Sequence, residues 1–258
     1  MNPAAPVLEV SALTKRYGGV QALDGVSFSI APGELLALIG PNGAGKSTCF
    51  NIVNGQLRPD SGAVRLGGRA ITGLPPRRIA RLGVGRTFQV ASVFASMTAR
   101  ENVQMALIAA RGQVFRLWRS AQGQAREAAQ ALLEQTGMAA LAERPAAALA
   151  YGDVKRLELA MALAGEPRLL LMDEPTAGMA GEERQAMIAL VRRLTRARGL
   201  AVLFTEHAMD VVFGHADRVV VLARGRLIAD GSVEAVQNDP AVREVYLGDT
   251  TFLTRDDR

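Results

Sequence analysis

The protein has 258 residues, of which 49% are hydrophobic, and a formal net charge of +5 at pH 7. A chain of this length can bury a full core, as one large domain or as a domain with a subdomain. It has no run of 18 apolar residues that would span a membrane, and its start, MNPAAPVLEV, lacks the pattern of a secretory signal. The single cysteine, Cys49, excludes an internal disulfide and is typical of a reducing compartment. With only two histidines beside it, the composition argues against a His/Cys zinc site.

The basic residues are almost all arginines, and they are scattered singly or in pairs such as Arg77-Arg78. Proteins that bind nucleic acid usually cluster their basic residues and interleave them with aromatic ones, whereas aromatic residues make up only 5% of this chain. We therefore expect a solvated, mildly cationic surface and no nucleic-acid partner.

Short β-like runs alternate with helical segments along the chain, a pattern typical of an α/β fold with crossover helices. The predicted strands are Val26–Ile30, Leu35–Ile39, Leu169–Met172, Ala201–Phe204 and Arg218–Leu222. Between about residues 98 and 164 the sequence favours helices, including a strongly amphipathic one over Ala125–Met138 that Gly137 ends. We expect a helical subdomain inserted into an α/β core.

The stretch LAYGDVKRLELAMALAG, from Leu149 to Gly165, predicts an amphipathic helix from Val154 onward. Asp153 is the expected N-cap of this helix, and Gly152 permits close approach of another group to the backbone. The exposed amides and the dipole of a helix N-terminus favour an anion. An ordinary capped helix start is the alternative, unless the rest of the chain supplies such an anion.

The C-terminal part predicts a hairpin with its turn at Arg224-Gly225, followed by short helices. Residues 1–6 and 249–258 are expected to be flexible ends. The prediction is thus a single domain over residues 7–248.

The segment GPNGAGKST, residues 40–48, fits the phosphate-binding pattern G-x-x-x-x-G-K-[ST] and follows the apolar strand LLALI. In such a loop the glycines let backbone amides wrap around phosphates, Lys46 reaches the β- and γ-phosphates, and Ser47 binds Mg²⁺. The residues after it can begin a helix, as the motif requires. The sequence therefore predicts a P-loop.

Two other predicted strands lead into ionisable residues. RLLLMDE ends in Asp173-Glu174, and AVLFT is followed by Glu206-His207. Parallel strands that end at one edge of a sheet deliver their side chains to the same crevice. In P-loop NTPases the first acid assists Mg²⁺ and a second can orient or deprotonate the attacking water, so nucleotide hydrolysis is the predicted chemistry.

The motifs, in their order, resemble those of ATP-binding cassette (ABC) transporter ATPases over roughly residues 7 to 248. They are Tyr17 in KRYGGVQAL, GPNGAGKST, Gln89 in GRTFQ, LAYGD, LLLMDEP and His207 in TEHAMD. The resemblance implies a P-loop NTPase cassette with a RecA-like core, a β-rich N-terminal subdomain and an inserted helical subdomain. It also implies two ATPase subunits facing head to tail, in which the LAYGD helix of each closes over the ATP of its partner.

The resemblance further implies a role for each matching residue, with ATP and Mg²⁺ as the bound groups. Tyr17 would stack on adenine, Glu174 would be the general base, and His207 would contact the γ-phosphate. Gly152 would act in trans on the partner's ATP. Gln89 would sense the metal and the attacking water. The phosphate-holding loop would comprise Gly40, Pro41, Asn42, Gly43, Ala44, Gly45, Lys46, Ser47 and Thr48, and the metal would be served by Ser47, Gln89 and Asp173.

Two departures from the family pattern concern the coupling between subunits. The common signature is Leu-Ser-Gly-Gly-Gln, so Ala150 lacks the usual serine hydroxyl, and Tyr151 and Asp153 replace glycine and glutamine. Ala180 stands where the family often has an aspartate after the second acidic strand.

A narrower resemblance, to the ATPases of branched-chain amino acid importers, is carried by GVGRTFQVASVFASMTARENV, AYGDVKRLELAMALA, MDEPTAGMA, TEHAMDVVFGHADRVVVLARGRLIADG and AVREVYLG. The chain is similar to the longer of the two ATPase types of that group, which carries an insert resembling Val114–Met138. The resemblance implies transmembrane permease subunits, received around Gln89 to Arg119, and indirectly a periplasmic or extracellular substrate-binding protein. The implied location is the cytoplasmic face of the inner (plasma) membrane, with peripheral attachment.

ATPase motifs recognise ATP rather than cargo, so other readings stay open at this point. One is the ATPase of a different transporter, for amides, urea or lipopolysaccharide. Another is a soluble ABC protein of translation or DNA repair, although those usually carry two cassettes or a long coiled-coil insertion. A third is an enzyme that phosphorylates a small molecule, which would leave the signature and His207 without a role.

Overall fold

The computed structural model of the protein describes residues 5–87, 93–110 and 118–246, with side chains from residue 125 onward in the last range. Within these ranges no helix is both long enough and apolar enough to cross a membrane. Gln89 lies outside the described residues, as do Arg111 to Phe115 and residues 116 and 117 of the expected docking region.

An antiparallel sheet of four strands is built from the N-terminal part of the chain, in the order β2-β1-β4-β5. Its strands are β1 (Leu8–Tyr17), β2 (Val20–Ile30), β4 (Ser61–Leu66) and β5 (Arg69–Ala70). Alternate residues of β2, Val26, Phe28 and Ile30, are buried, which is the two-residue period of a strand with one covered face. The sequence predicted only the second half of β2 in this sheet.

A second sheet of six strands has the order β10-β9-β3-β8-β7-β6. It contains β3 (Leu35–Ile39), β6 (Val84–Thr87), β7 (Leu169–Asp173), β8 (Ala201–Thr205), β9 (Arg218–Ala223) and β10 (Arg226–Gly231). All neighbours pair in parallel except β9 and β10, which form an antiparallel hairpin. The turn predicted at Arg224-Gly225 is confirmed, because both residues have positive φ, 49° and 77°, as a two-residue hairpin turn requires.

Nine α-helices are found among the described residues. They are α1 (Lys46–Val53), α2 (Pro76–Arg81), α3 (Ala99–Ala110), α4 (Trp118–Gln135), α5 (Tyr151–Leu163), α6 (Gly181–Arg198), α7 (Met209–His215), α8 (Val233–Asn238) and α9 (Pro240–Tyr246). The described residues between 98 and 164 hold α3, α4, α5 and two single turns of 3₁₀-helix, and their β-pairing is limited to one isolated bridge, Thr98 to Pro145. The region is helical, as the sequence predicted.

The core lies on both faces of the six-stranded sheet, and β3 shows this most clearly. Leu35, Ala37 and Ile39 face a cluster that includes α3 to α7, whereas Leu36 and Leu38 face a cluster shared with α1 and the antiparallel sheet. All five residues are fully buried. Such a strand reads as a continuous apolar run because helices or a second sheet cover both of its faces. The predicted α/β fold is therefore confirmed.

Cys49 lies on α1, one turn behind the phosphate loop, and its side chain is completely buried. Burial raises the pKa of its thiol to about 12. At pH 8 the thiolate, which is the reactive form, would then be on the order of one part in 10⁴, against roughly a quarter for a free cysteine.

We expect the native protein to react with a maleimide at least about a hundredfold more slowly than the same chain in denaturing urea. The measurement is the rate of mass increase in the two conditions at one pH. A native rate equal to the unfolded rate would show that α1 opens readily and that the thiol is not shielded.

Candidate active site

The phosphate loop connects the C-terminal end of β3 to α1, and its shape depends on two glycines. Gly45 has φ 107°, and a Cβ there would lie 2.5 Å from the carbonyl oxygen of Ala22. A Cβ on Gly40 would overlap the carbonyl oxygen of Leu222. Any larger residue would therefore displace the neighbouring backbone. The loop leads into the N-terminus of α1, whose free amides and dipole favour a phosphate.

Lys46, the first residue of α1, points back over the loop. Its Nζ donates hydrogen bonds to the carbonyl oxygens of Gly40 at 2.5 Å and Pro41 at 3.2 Å, and the residue is only 8% exposed. Burial lowers the pKa of Lys46, and attraction to the carboxylates of Glu174 and Asp173 opposes that shift. The P-loop cation is thus close enough to both acids that the sequence singled out for their charges to act on it.

Asp173 is the last residue of β7, and it is held from the next strand. The register of β7 and β8 places it opposite Thr205, whose hydroxyl donates to Asp173 Oδ1 at 2.7 Å. Arg86 of β6 approaches Asp173 Oδ2 at 3.8 Å from the other side. Asp173 is therefore oriented by both neighbouring strands, and neither contact was foreseen from the sequence.

Glu174 follows directly and has φ 49°, in the left-handed region that residues other than glycine rarely adopt. Its amide donates to the carbonyl and hydroxyl oxygens of Thr205, each at 3.1 Å. Its carboxylate Oε1 lies 3.1 Å from Nε2 of His207, and the side chains of Glu174 and His207 are 28% and 53% exposed. The sheet edge thus brings a carboxylate and an imidazole together at the solvent boundary, where a water molecule can reach them.

Glu206 and Thr176 are the functional candidates that sequence reasoning missed. Glu206, at the end of β8, is 4% exposed, and its Oε1 accepts hydrogen bonds from the backbone amide of Thr176 at 2.9 Å and its hydroxyl at 2.6 Å. The sequence pointed to a carboxylate at this strand end. It contained no signal that the carboxylate turns inward to the segment after Glu174.

Tyr17 is the last residue of β1 and pairs with Val20, the first residue of β2. Further along β2, the carbonyl oxygen of Ala22 lies close to Gly45 of the phosphate loop. Its ring is 49% exposed, and Nζ of Lys15 lies 5.8 Å from the ring centroid. An exposed aromatic face near the loop is available for stacking on a flat ring.

The helix at the LAYGD motif begins three residues earlier than expected, at Tyr151 rather than Val154. Its N-cap is Ala150, with extended backbone and no capping side chain, so the prediction of Asp153 as N-cap is wrong. Asp153 lies within the first turn, 3.8 Å from the guanidinium of Arg156 three residues on. The first turn of α5 therefore keeps backbone donors that no side chain of its own cap satisfies.

Gly152 is buried, and the group that comes close to it belongs to the same chain. The carboxylate of Glu183, in the first turn of α6, occupies the place of a Cβ on Gly152. The ring of the half-exposed Tyr151 lies 3.4 Å from the position of a Cβ on Gly178. The start of α5 is thus packed against the segment between β7 and α6, and a side chain at position 152 would first have to displace the carboxylate of Glu183.

Ala180 is the N-cap of α6, again without a capping hydrogen bond from its side chain. Both departures from the family pattern, Ala150 and Ala180, therefore fall at helix caps. Alanine there costs about 1 kcal/mol relative to serine or aspartate. Glu182 and Glu183 in the first turn of α6 compensate in part, because carboxylates there interact favourably with the helix dipole.

Comparison with known proteins extends the motif match over 95% of the chain. Residues 23–177 match the family model described as ABC transporter, and residues 226–250 match one described as branched-chain amino acid ATP-binding cassette transporter. The high-affinity branched-chain amino acid transport ATP-binding protein BraF of Pseudomonas aeruginosa is 39% identical over 251 residues, covering 95% of this chain and 98% of BraF.

Solved structures give the same result. The ADP conformation of an ATP-binding cassette of an ABC transporter superposes with a TM-score of 0.85 at 33% identity, covering 95% of this chain and all of the other. A dimeric structure of a bacterial ABC transporter cassette superposes with a TM-score of 0.74 at 25% identity, covering 88% of this chain and 98% of the other. The predicted fold and family are confirmed: the chain belongs to the ABC transporter family, as an ATP-binding cassette ATPase.

Proposed function

We propose that this protein is the ATP-hydrolysing subunit of an importer of branched-chain amino acids. The observation that carries the ATPase part is the convergence of Lys46, Asp173, Glu174 and His207 at one edge of the parallel sheet. The cargo is supported by the C-terminal family match at residues 226–250 and by the name of BraF. No contact among the described residues favours amides, urea or lipopolysaccharide over these amino acids.

ATP binding is assigned to the loop from Gly40 to Thr48 and to Tyr17. The amides of the loop and of the first turn of α1 would bind the phosphates, and Lys46, which here donates to two loop carbonyl oxygens, would donate to phosphate oxygens instead. The residues present also fit Mg²⁺, since the exposed hydroxyl of Ser47 and the carboxylate of Asp173 are the oxygen ligands that this ion prefers. When bound, Mg²⁺ neutralises charge that develops on the phosphate oxygens. Gln89 is assigned to the same site from the motif alone.

Glu174 is the proposed general base. Its carboxylate is partly exposed and lies at the edge where the γ-phosphate would end. It can accept a proton from the attacking water, while His207 beside it contacts the γ-phosphate. The hydrogen bonds that the Glu174 amide donates to Thr205 keep the base in position during this step.

A second ATPase subunit is proposed to complete each site, which the dimeric cassette structure supports. The uncapped start of α5 would then supply amides and positive potential to the partner's γ-phosphate. The partner is a second copy or a sibling chain. Gly152 would act there in trans, beside the exposed residues Ala150 and Tyr151, with the flexible side chain of Glu183 moving aside for the phosphate.

Permease subunits are proposed to dock on the region from Gln89 to Arg119, which places the protein on the cytoplasmic face of the membrane. Within the described part of this region Phe94 is 51% exposed, although its backbone is fixed. The amide of Phe94 donates to Oδ1 of the fully buried Asn102 at 2.7 Å, and Nδ2 of Asn102 donates back to the Phe94 carbonyl at 3.1 Å. An aromatic side chain presented on a rigid loop is typical of an anchor in a protein interface.

The cargo is tested by reconstituting the chain in membrane vesicles. The vesicles also contain the permease subunits and the binding protein whose genes neighbour its own, and uptake of labelled substrates is measured. We expect ATP-dependent uptake of leucine, isoleucine or valine. Uptake of urea or an amide with none of these amino acids would overturn the cargo and leave the ATPase assignment intact.

Glu174→Gln should keep ATP affinity and lower turnover by about 10²-fold or more, because the amide preserves the contact with His207 but cannot take a proton. Nucleotide binding and phosphate release are measured separately. Glu127→Gln, on the exposed face of α4, is the matched control and should change neither. Near-normal hydrolysis by Glu174→Gln would remove the general-base assignment.

Ala150→Asp should block closure on the partner's ATP, whereas the isosteric Ala150→Asn should not. Both residues are good N-caps and should stabilise α5 by about 1 kcal/mol, so only the charge that repels a phosphate differs. Gly152 is a poorer test position because a side chain there must also displace the carboxylate of Glu183, which adds a second change to the one being tested.

Whether α5 acts on the ATP of the partner subunit is tested by combining Ala150→Asp with Lys46→Ala in assemblies of two tagged subunits. Placed on different subunits, the two changes damage one composite site and leave the other whole. Placed on the same subunit, they damage both. We expect higher residual ATPase activity in the first arrangement, and equal activity would show that the start of α5 does not reach across.

Phe94→Glu should prevent assembly with the permease or uncouple hydrolysis from uptake, since it puts a charge where an apolar anchor must be desolvated. Val245→Glu on α9, a second exposed apolar residue, is the control. Co-purification with the permease and thermal unfolding are measured together. A folded Phe94→Glu chain that assembles and transports normally would place the docking site elsewhere.

A further inference from the structure

We propose that Glu206 is a positioning residue for hydrolysis: its buried carboxylate clamps the segment after Glu174 to the segment that carries His207. The proposal rests on the proposed function, in which Glu174 is the base. Glu206 touches no reacting group and acts only through the two segments that it joins.

A buried carboxylate is costly unless hydrogen bonds replace its hydration, and the donors to Glu206 all come from these two segments. Oε1 accepts from the amide and the hydroxyl of Thr176, at 2.9 Å and 2.6 Å, and Oε2 accepts from the amide of His207 at 3.2 Å. Glu206 and Thr176 are 4% and 2% exposed. Water therefore competes little for these hydrogen bonds, and they hold the two segments at a set separation.

With the clamp, hydrogen bonds fix the chain on both sides of Glu174. On the N-terminal side of Glu174, the hydroxyl of Thr205 accepts a hydrogen bond from the Glu174 amide and donates one to Asp173 Oδ1. On the C-terminal side of Glu174, the amide of Thr176 donates a hydrogen bond to Glu206, which follows Thr205 in the chain. Glu174 has a left-handed backbone, φ 49°, and such a conformation persists only where the surroundings impose it.

The clamp also sets the geometry of His207. The imidazole is 53% exposed, so packing alone does not fix it, and its Nε2 lies 3.1 Å from Glu174 Oε1. Its backbone amide is bound by the same carboxylate that binds Thr176. Loss of the clamp would let the base and the imidazole drift apart, and a misplacement of about 1 Å can cost roughly 10²-fold in rate.

The test uses Thr176→Val, which has the shape of threonine and keeps the backbone amide but removes the 2.6 Å hydroxyl contact. For the full-length chain we expect kcat for ATP to fall by about ten- to a hundredfold, with KM changed less than about twofold, because ATP binding lies with the P-loop. Thr176→Ser retains the hydroxyl and should restore most of kcat.

Thr195→Val on α6 is the matched control. Thr195 is also fully buried, and its hydroxyl also makes one hydrogen bond, to the carbonyl of Val191 at 2.9 Å, away from the site. We expect its kcat to be unchanged. Glu206→Gln should also lower kcat, because its oxygen can keep the hydrogen bonds from Thr176 but its amide nitrogen cannot accept the one from the His207 amide. The double variant should lose less than the product of the two effects, because both changes act through the same side chain at position 206.

An unchanged kcat in Thr176→Val would overturn the proposal, and so would an equal fall in Thr195→Val or no recovery in Thr176→Ser. The base assignment is read independently from Glu174→Gln in the same assays. Normal hydrolysis by that variant refutes the proposed base, whereas a Thr176→Val chain with wild-type kcat refutes only the clamp.

Discussion

The site depends above all on the register in which β7 pairs with β8. Asp173 lies opposite Thr205, and this pairing puts Glu174 and Glu206 at the same level, one residue beyond each strand end. In a sheet the side-chain period is two, so a shift by one residue would turn every side chain of the strand to the other face. Both faces of these strands are buried, so the register is held by the close packing of differently shaped side chains on the two faces rather than by a polar-apolar alternation. Packing of the sheet thus positions the catalytic groups.

The sequence alone predicted much of the central sheet, because parallel strands that are covered on both faces read as uninterrupted apolar runs. Leu35–Ile39 agrees with β3 to the residue, and the other predicted strands lie within observed ones. The antiparallel sheet was largely missed. In β1 only alternate and irregularly spaced residues are buried, and register shifts along its pairings with β2 and β4 break the simple two-residue pattern.

The candidate site was predictable where its residues belong to local motifs and not where it depends on contacts between distant segments. The P-loop and the acids after β7 were recognisable because the chemistry acts on residues that are consecutive in the chain. Thr176 and Glu206 are separated by 30 positions, and only the fold brings them together. Likewise, the carboxylate that lies against Gly152 could not be foreseen, because it belongs to Glu183 on α6. The cap of α5 was misplaced because Asp153 has the right chemistry but lies inside the first turn.

The left-handed backbone of Glu174 has a consequence for which amino acids evolution can place there. Glycine and asparagine adopt this conformation with less strain than glutamate, whose cost is of order 1–3 kcal/mol. Replacements that relieve the backbone strain therefore remove the carboxylate, so the less strained variant is also the less active one. Chemistry and conformational preference select for different residues at this position. Random drift would be expected to yield stable but inactive subunits here, which only selection on ATP turnover can remove.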